Sequence, residues 1–156
     1  MDVQHIYIVR AKSTKVRSGV VVPDRVAQPI KFSAPPEFLG EPGRWTPEDF
    51  FVAGVATCFV STFSGMADLS HLKFHCVEVE VQGVLAEDTR GWKFSEIKLR
   101  PHLKIFSEKD RDRGHRLLEK TERACLVARS INAKITLEPS VTVAIPEDSN
   151  AASKIA

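Results

Sequence analysis

Cys58 lies near the middle of residues 50–67, a stretch without a charged side chain. On a helix its face would also carry Gly54, Val55, Ser61, Thr62 and Gly65, mostly small residues. A small-lined face lets another helix, a second thiol or a small substrate approach the sulfur. A free cysteine also packs as a small buried hydrophobe, so residue type leaves both readings open. Cys125 stands where a short helix is expected to begin. Unbonded N–H groups of a first helical turn favour a thiolate there and would lower its pKa; simple packing fits this cysteine too. Cys76 belongs to an alternating strand with no cation pattern around it and reads as structural. Glu48 and Arg17 are the charged candidates. Their ordinary roles would be a first-turn acid facing the helix dipole and a surface charge in the turn TKVRSG. With no CxxC or CxxH spacing, zinc ligation has no support.

The elements that must position these groups follow from the pattern. Residues 3–9 and 20–22 have the β-branched and aromatic weight of strands, and APPEFLGEPGRW (34–45) is a Pro/Gly-punctuated loop. Thr46 as N-cap, Pro47 in the first helical position and Glu48 and Asp49 in the first turn start a helix running to about Asp68. Such an apolar segment is long enough to cross a bilayer. Its glycines and hydroxyl residues, and its amphipathic surroundings, favour a buried central helix, apolar on all sides. Residues 73–86 and 93–106 alternate, with a turn near 87–91, and form a long hairpin with one wet face. Ser107 and Asp110 resemble a capping box opening a charged helix to about Arg123. A short helix from near Cys125 follows, then one more alternating strand over 134–145. Strands, buried helix, hairpin, helices and strand together make an α+β chain with mostly antiparallel sheets.

The length of 156 residues suits one domain, expected over 1–148, with a fraying tail at 149–156. A net charge of +2 supplies no global field to hold nucleic acid or an anionic membrane. Three cysteines are too few for a disulfide scaffold. The opening MDVQHIYIVRAK lacks the layout of a secretory signal, so a cytoplasmic setting is expected.

TPEDFFVAGVATCF (46–59) resembles the signature of the OsmC/Ohr family, the osmotically inducible protein C and organic hydroperoxide resistance proteins. That signature runs roughly N-P-E-x-L-F-A-A-G-x-A-x-C-F. Pro47-Glu48, Ala53-Gly54 and Cys58-Phe59 fall at matching spacing. The second family block, C-P-V/Y-S, resembles Cys125-Leu126-Val127-Ala128, and the 67-residue gap fits. Three positions depart from the pattern: Trp45-Thr46 stands for Thr-Asn, Leu126 for proline and Ala128 for serine.

The resemblance implies an OsmC-like fold, antiparallel sheets around a long buried helix, in an intertwined homodimer. It implies a thiol-dependent peroxidase acting on organic hydroperoxides, with hydrogen peroxide a lesser substrate. Cys58 matches the peroxidatic cysteine and Cys125 the resolving cysteine, with a disulfide between them. Glu48 matches the family's acid and Arg17 its N-terminal arginine; Arg25 is a rival for that place. Phe50, Phe51 and Phe59 are candidates for an apolar substrate wall, as is Phe63, although core packing is their ordinary role. No cofactor is expected, because thiol chemistry carries both electrons, and a lipoyl-type external dithiol is the expected reductant. The alternative is a non-catalytic OsmC-like small-molecule-binding or stress protein. Glu48 and Cys58, ten residues apart on one helix, are separated by about 15 Å along its axis. If both act in one site, the glutamate must come from a partner subunit, unless the helix breaks.

Overall fold

The computed structural model describes residues 3–145; the tail expected at 149–156 lies outside them. The chain gathers into two compact units, one ending at Phe51 and the other beginning at Val52.

The first unit holds a three-stranded antiparallel sheet of β1 (Val9–Lys15), β2 (Ser18–Pro23) and β3 (Ile30–Ser33), in that order. β1 is not the 3–9 segment expected from propensity. The tight turn at Val16-Arg17, with Arg17 at φ 61°, folds back the residues next to it, so Arg10 pairs with Val22 and Lys12 with Val20. Pairing geometry thereby overrides the apolar run before it, and Ile6, Tyr7 and Ile8 remain exposed. Further along this unit, Thr46 caps the helix as expected. Its N–H and hydroxyl both bond Asp49 Oδ2 at 2.9 Å, and the Asp49 N–H donates to Thr46 Oγ1 at 3.1 Å.

That helix, α1 (Pro47–Leu69), is unbroken and carries the chain into the second unit. It is long and apolar enough to cross a membrane by length and composition, with an 18-residue stretch of mean hydropathy 1.7. Within the chain it is buried along one stripe, Val55, Phe59, Phe63 and Ala67, spaced four residues apart. The expectation of burial on all sides is thus met on one face; Thr57, Ser61, Ser64 and Gly65 are exposed.

The expected hairpin is present as β4 (Phe74–Asp88) and β5 (Gly91–Ile105), paired from Phe74↔Ile105 to Asp88↔Gly91. Gly91 takes φ 109° at the turn, which a side chain would resist. Ile97, Leu99, Leu103 and Ile105 are fully buried on one face of β5, and each contributes about 1.5–3 kcal/mol of hydrophobic stabilisation. After β5 come α2 (Arg111–Ala124) and α3 (Leu126–Arg129), then β6 (Lys134–Leu137) and β7 (Ser140–Val143). The capping box expected at Ser107 does not form; Ser107 precedes a short 3₁₀ turn and makes no side-chain cap bond. The strand expected over 134–145 is split in two at Glu138-Pro139. Both halves run parallel to β5, β6 along residues 96–99 and β7 along 102–105. The helices make the crossover that parallel pairing requires, so this sheet is mixed rather than antiparallel. Pro101 falls in the gap between the two parallel pairings, where β5 needs no donor on that edge.

Candidate active site

Two main-chain junctions set Cys125. It ends α2, its N–H donating to Thr121 O at 2.9 Å, and it begins α3, its carbonyl accepting from Arg129 N–H at 3.0 Å. Its side chain is fully buried. One turn earlier Thr121, also fully buried, donates to Leu117 O at 2.8 Å and lies 3.8 Å from Met66 Sδ of α1. This ties the end of α2 to the helix that carries Cys58. On that helix the Gly54 position, one turn before Cys58, faces α3: a Cβ there would lie 3.9 Å from Val127 Cγ1.

Cys58 itself is half-buried, with its sulfur 3.9 Å from Thr62 Oγ1. It meets the start of α3. Burial pushes its thiol up, but the Val127 N–H, the Cys125 thiol, the Thr62 hydroxyl and the Leu126 N–H all favour the thiolate. Together they hold Cys58 below the ordinary thiol value. Cys125 goes the other way. Burial pushes it up, the N–H groups of Ala128 and Val127 oppose this, and the neighbouring Cys58 thiolate adds to the rise. The expectation that the α3 start would lower Cys125 is therefore corrected. Main-chain donors at the start of α3 favour ionisation of both sulfurs, but at Cys125 burial and the neighbouring Cys58 outweigh them. The arrangement sets a thiol held below its ordinary value beside one held above it, an asymmetry that thiol–disulfide chemistry uses.

The other expected site residues fall elsewhere. Glu48 is half-buried, and its Oε2 is buried without a hydrogen-bond partner among the described residues. Arg17 is exposed, and no ion pair joins it to Glu48 among the described residues; its carbonyl accepts from Ala34 N–H at 2.8 Å. Arg25 is exposed with its guanidinium 5.3 Å from the Tyr7 ring centroid. Because α1 does not break, Glu48 and Cys58 stay about 15 Å apart along it. Phe50, half-buried, stacks on Trp45 with ring centroids 5.2 Å apart, and Phe51 is half-buried as well. Phe59 and Phe63 are fully buried, Phe63 edge-on to Phe74 at 5.3 Å. They belong to the core, which removes Phe59 from the candidate wall. Cys76 sits half-buried in β4 opposite Lys104. No three His, Cys, Asp or Glu side chains among the described residues group as metal ligands do. The donors on Cys58 went unseen in the sequence for two reasons. Main-chain N–H groups leave no mark in residue identity, and Thr62 was legible only as a small neighbour at i+4.

The family described as OsmC-like protein matches residues 40–140 of the chain. An uncharacterized protein of Bacillus subtilis, YmaD, is 29% identical over 112 residues, which is 68% of this chain and 75% of that one. Among solved structures, an OsmC-like protein of unknown function from Vibrio cholerae superposes with a TM-score of 0.73 at 19% identity, over 88% of this chain and 99% of that one. An organic hydroperoxide resistance protein OsmC from Legionella pneumophila gives 0.73 at 23% identity, over 91% and 100%. An organic hydroperoxide resistance protein of Bacillus subtilis gives 0.62 at 19%, over 88% and 98%. At these identities the structural likeness is one of fold.

Proposed function

This chain belongs to the OsmC-like protein family, and on that footing we propose that it is a thiol-dependent peroxidase reducing organic hydroperoxides. The observation that carries the reading is the juxtaposition of a half-buried Cys58, held below the ordinary thiol value, with a buried Cys125 held above it. The Cys58 thiolate attacks the distal oxygen of the hydroperoxide. The O–O bond breaks, the departing alkoxide takes a proton and leaves as an alcohol, and the sulfur becomes a sulfenic acid. The Cys125 thiol then condenses with it: an S–S bond forms, and the sulfenic hydroxyl leaves with the Cys125 proton as water. An external dithiol, of lipoyl type, restores both thiols and is itself oxidised to a disulfide. Cys58 is the sulfur it can reach, since Cys125 is fully buried.

The working unit in this reading is a homodimer. The Glu48 Oε2, without a hydrogen-bond partner among the described residues, and the incompletely buried α1 support it, because groups from a second copy could cover both. Glu48 would hold Arg17, and the guanidinium would polarise the O–O bond at the partner's sulfur. Phe50 and Phe51 would form an apolar wall favouring organic over hydrogen peroxide. The redox cycle fits a reducing, cytoplasmic setting.

Thiol titration before and after one equivalent of cumene hydroperoxide tests the proposal. Two thiols per chain should be lost and then regained with dihydrolipoamide, and Cys125→Ser should accumulate the sulfenic acid. No stoichiometric loss, or full turnover in Cys58→Ser, overturns it and leaves the binding-protein alternative. Mixed Glu48→Ala/Cys58→Ser dimers should recover about one working site if the site is shared between subunits.

A further inference from the structure

Serine and threonine within a helix ordinarily give their hydroxyl proton to the carbonyl one turn back. Thr57 does so to Ala53 O at 2.8 Å and Ser64 to Val60 O at 2.9 Å, both on α1. Thr121 on α2 donates to Leu117 O at 2.8 Å, and Ser130 to Leu126 O at 2.8 Å. Thr62 differs. One turn after Cys58, its half-buried hydroxyl lies 3.9 Å from Cys58 Sγ, its partner among the described residues. The geometry is that of the helix itself: side chains lean toward the N-terminus, so a residue at i+4 covers the turn that carries residue i.

We propose that Thr62 is a positioning residue for the Cys58 sulfur, its hydroxyl donating to the thiolate and holding it toward the start of α3. A thiol sulfur is a weak acceptor, whereas a thiolate is a charged one, so this bond strengthens when Cys58 ionises. Thr62 therefore acts on the population of reactive sulfur before any peroxide arrives. The direction of the Cys58 shift, to which the Thr62 hydroxyl contributes, agrees with this role. Among the described residues, Cys125 at the start of α3 is the titratable group that faces the same sulfur. Tuning of peroxide reduction by Thr62 rests on the peroxidase reading; its effect on the thiolate does not.

The test separates the two. Iodoacetamide labelling of Cys58, resolved by peptide mass spectrometry across pH, is compared for the wild type, Thr62→Val, Thr62→Ala and Thr62→Ser. Valine matches threonine in shape without the hydroxyl, alanine deletes it with less bulk, and serine keeps it. Thr62→Val and Thr62→Ala should move the Cys58 curve to higher pH and lower its labelling rate near neutrality about threefold, the worth of a modest hydrogen bond. Thr62→Ser should retain the wild-type curve, and labelling of Cys76 should not change. Coincident curves for wild type and both hydroxyl-free variants overturn the proposal. So does equal impairment of all three variants, which would mean packing alone. If the curves shift as expected while the wild type consumes no cumene hydroperoxide, Thr62 keeps its role and the peroxidase reading falls.

Discussion

Replacing Leu126 by proline tests whether main-chain donors hold the Cys58 thiolate. In the family pattern a proline follows the second cysteine; here leucine supplies an N–H at that place, and this N–H favours ionised Cys58. The backbone is ready for the change. Leu126 is the first residue of α3, where proline is tolerated, and Cys125 at φ −62°, ψ 113° already has the extended conformation that precedes proline. Leu126 is 71% exposed, so little packing is lost. What disappears is one proton donor to a charged acceptor. Such bonds are worth ~1.5–3 kcal/mol at full strength. Leu126 contributes less than Val127, Cys125 or Thr62, and Val127 keeps its N–H, so about 1 kcal/mol is a fair magnitude. At a pH below the Cys58 pKa, that is about a fivefold smaller thiolate fraction. Peptide-resolved iodoacetamide labelling should show the Cys58 curve displaced to higher pH and its rate near neutrality about fivefold lower. A folded Leu126→Pro protein whose curve overlays the wild type would refute the reasoning, and the low thiol value would need another source.

The opposite shifts of the two cysteines fix a pH order. Cys58, held below the ordinary thiol value, should keep its thiolate as pH falls past the point where free cysteine protonates, while Cys125 stays protonated through neutrality. Hydroperoxide consumption should rise with pH along the Cys58 titration, and a rate tracking free cysteine would contradict this. Phe63→Ala removes a fully buried ring packed edge-on to Phe74 and should cost about 3–5 kcal/mol in denaturant unfolding; a loss under about 1 kcal/mol would show that the site collapses freely. Thr46→Ala breaks the reciprocal bonds with Asp49 and should cost about 1 kcal/mol, read as a lower thermal midpoint.

Periodicity made much of this protein legible in one dimension. Thr46, Pro47 and Asp49 announced the start of α1 because capping is a matter of near neighbours, and the alternation through residues 77–105 named the buried face of the hairpin because strand side chains repeat every second residue. The motif around Cys58 and Cys125 marked the two sulfurs as a candidate pair. Where partners distant in the chain decide, the sequence misled. β1 forms at 9–15 rather than 3–9 because a turn and a pairing strand select the register, and β6 and β7 run parallel to β5 because two helices intervene.

The chemistry divides the same way. From the sequence one cysteine was expected mid-helix and another at a helix start; donors there were expected to favour ionised Cys125, with simple packing as the other reading, and the family resemblance made Cys58 the peroxidatic sulfur. Only the tertiary structure decided that α1 brings Cys58 to the N–H groups at the start of α3 while Cys125 sinks into the interior. Ionisation depends on distance to donors through space and on loss of water, and neither is written in the order of residues along a chain.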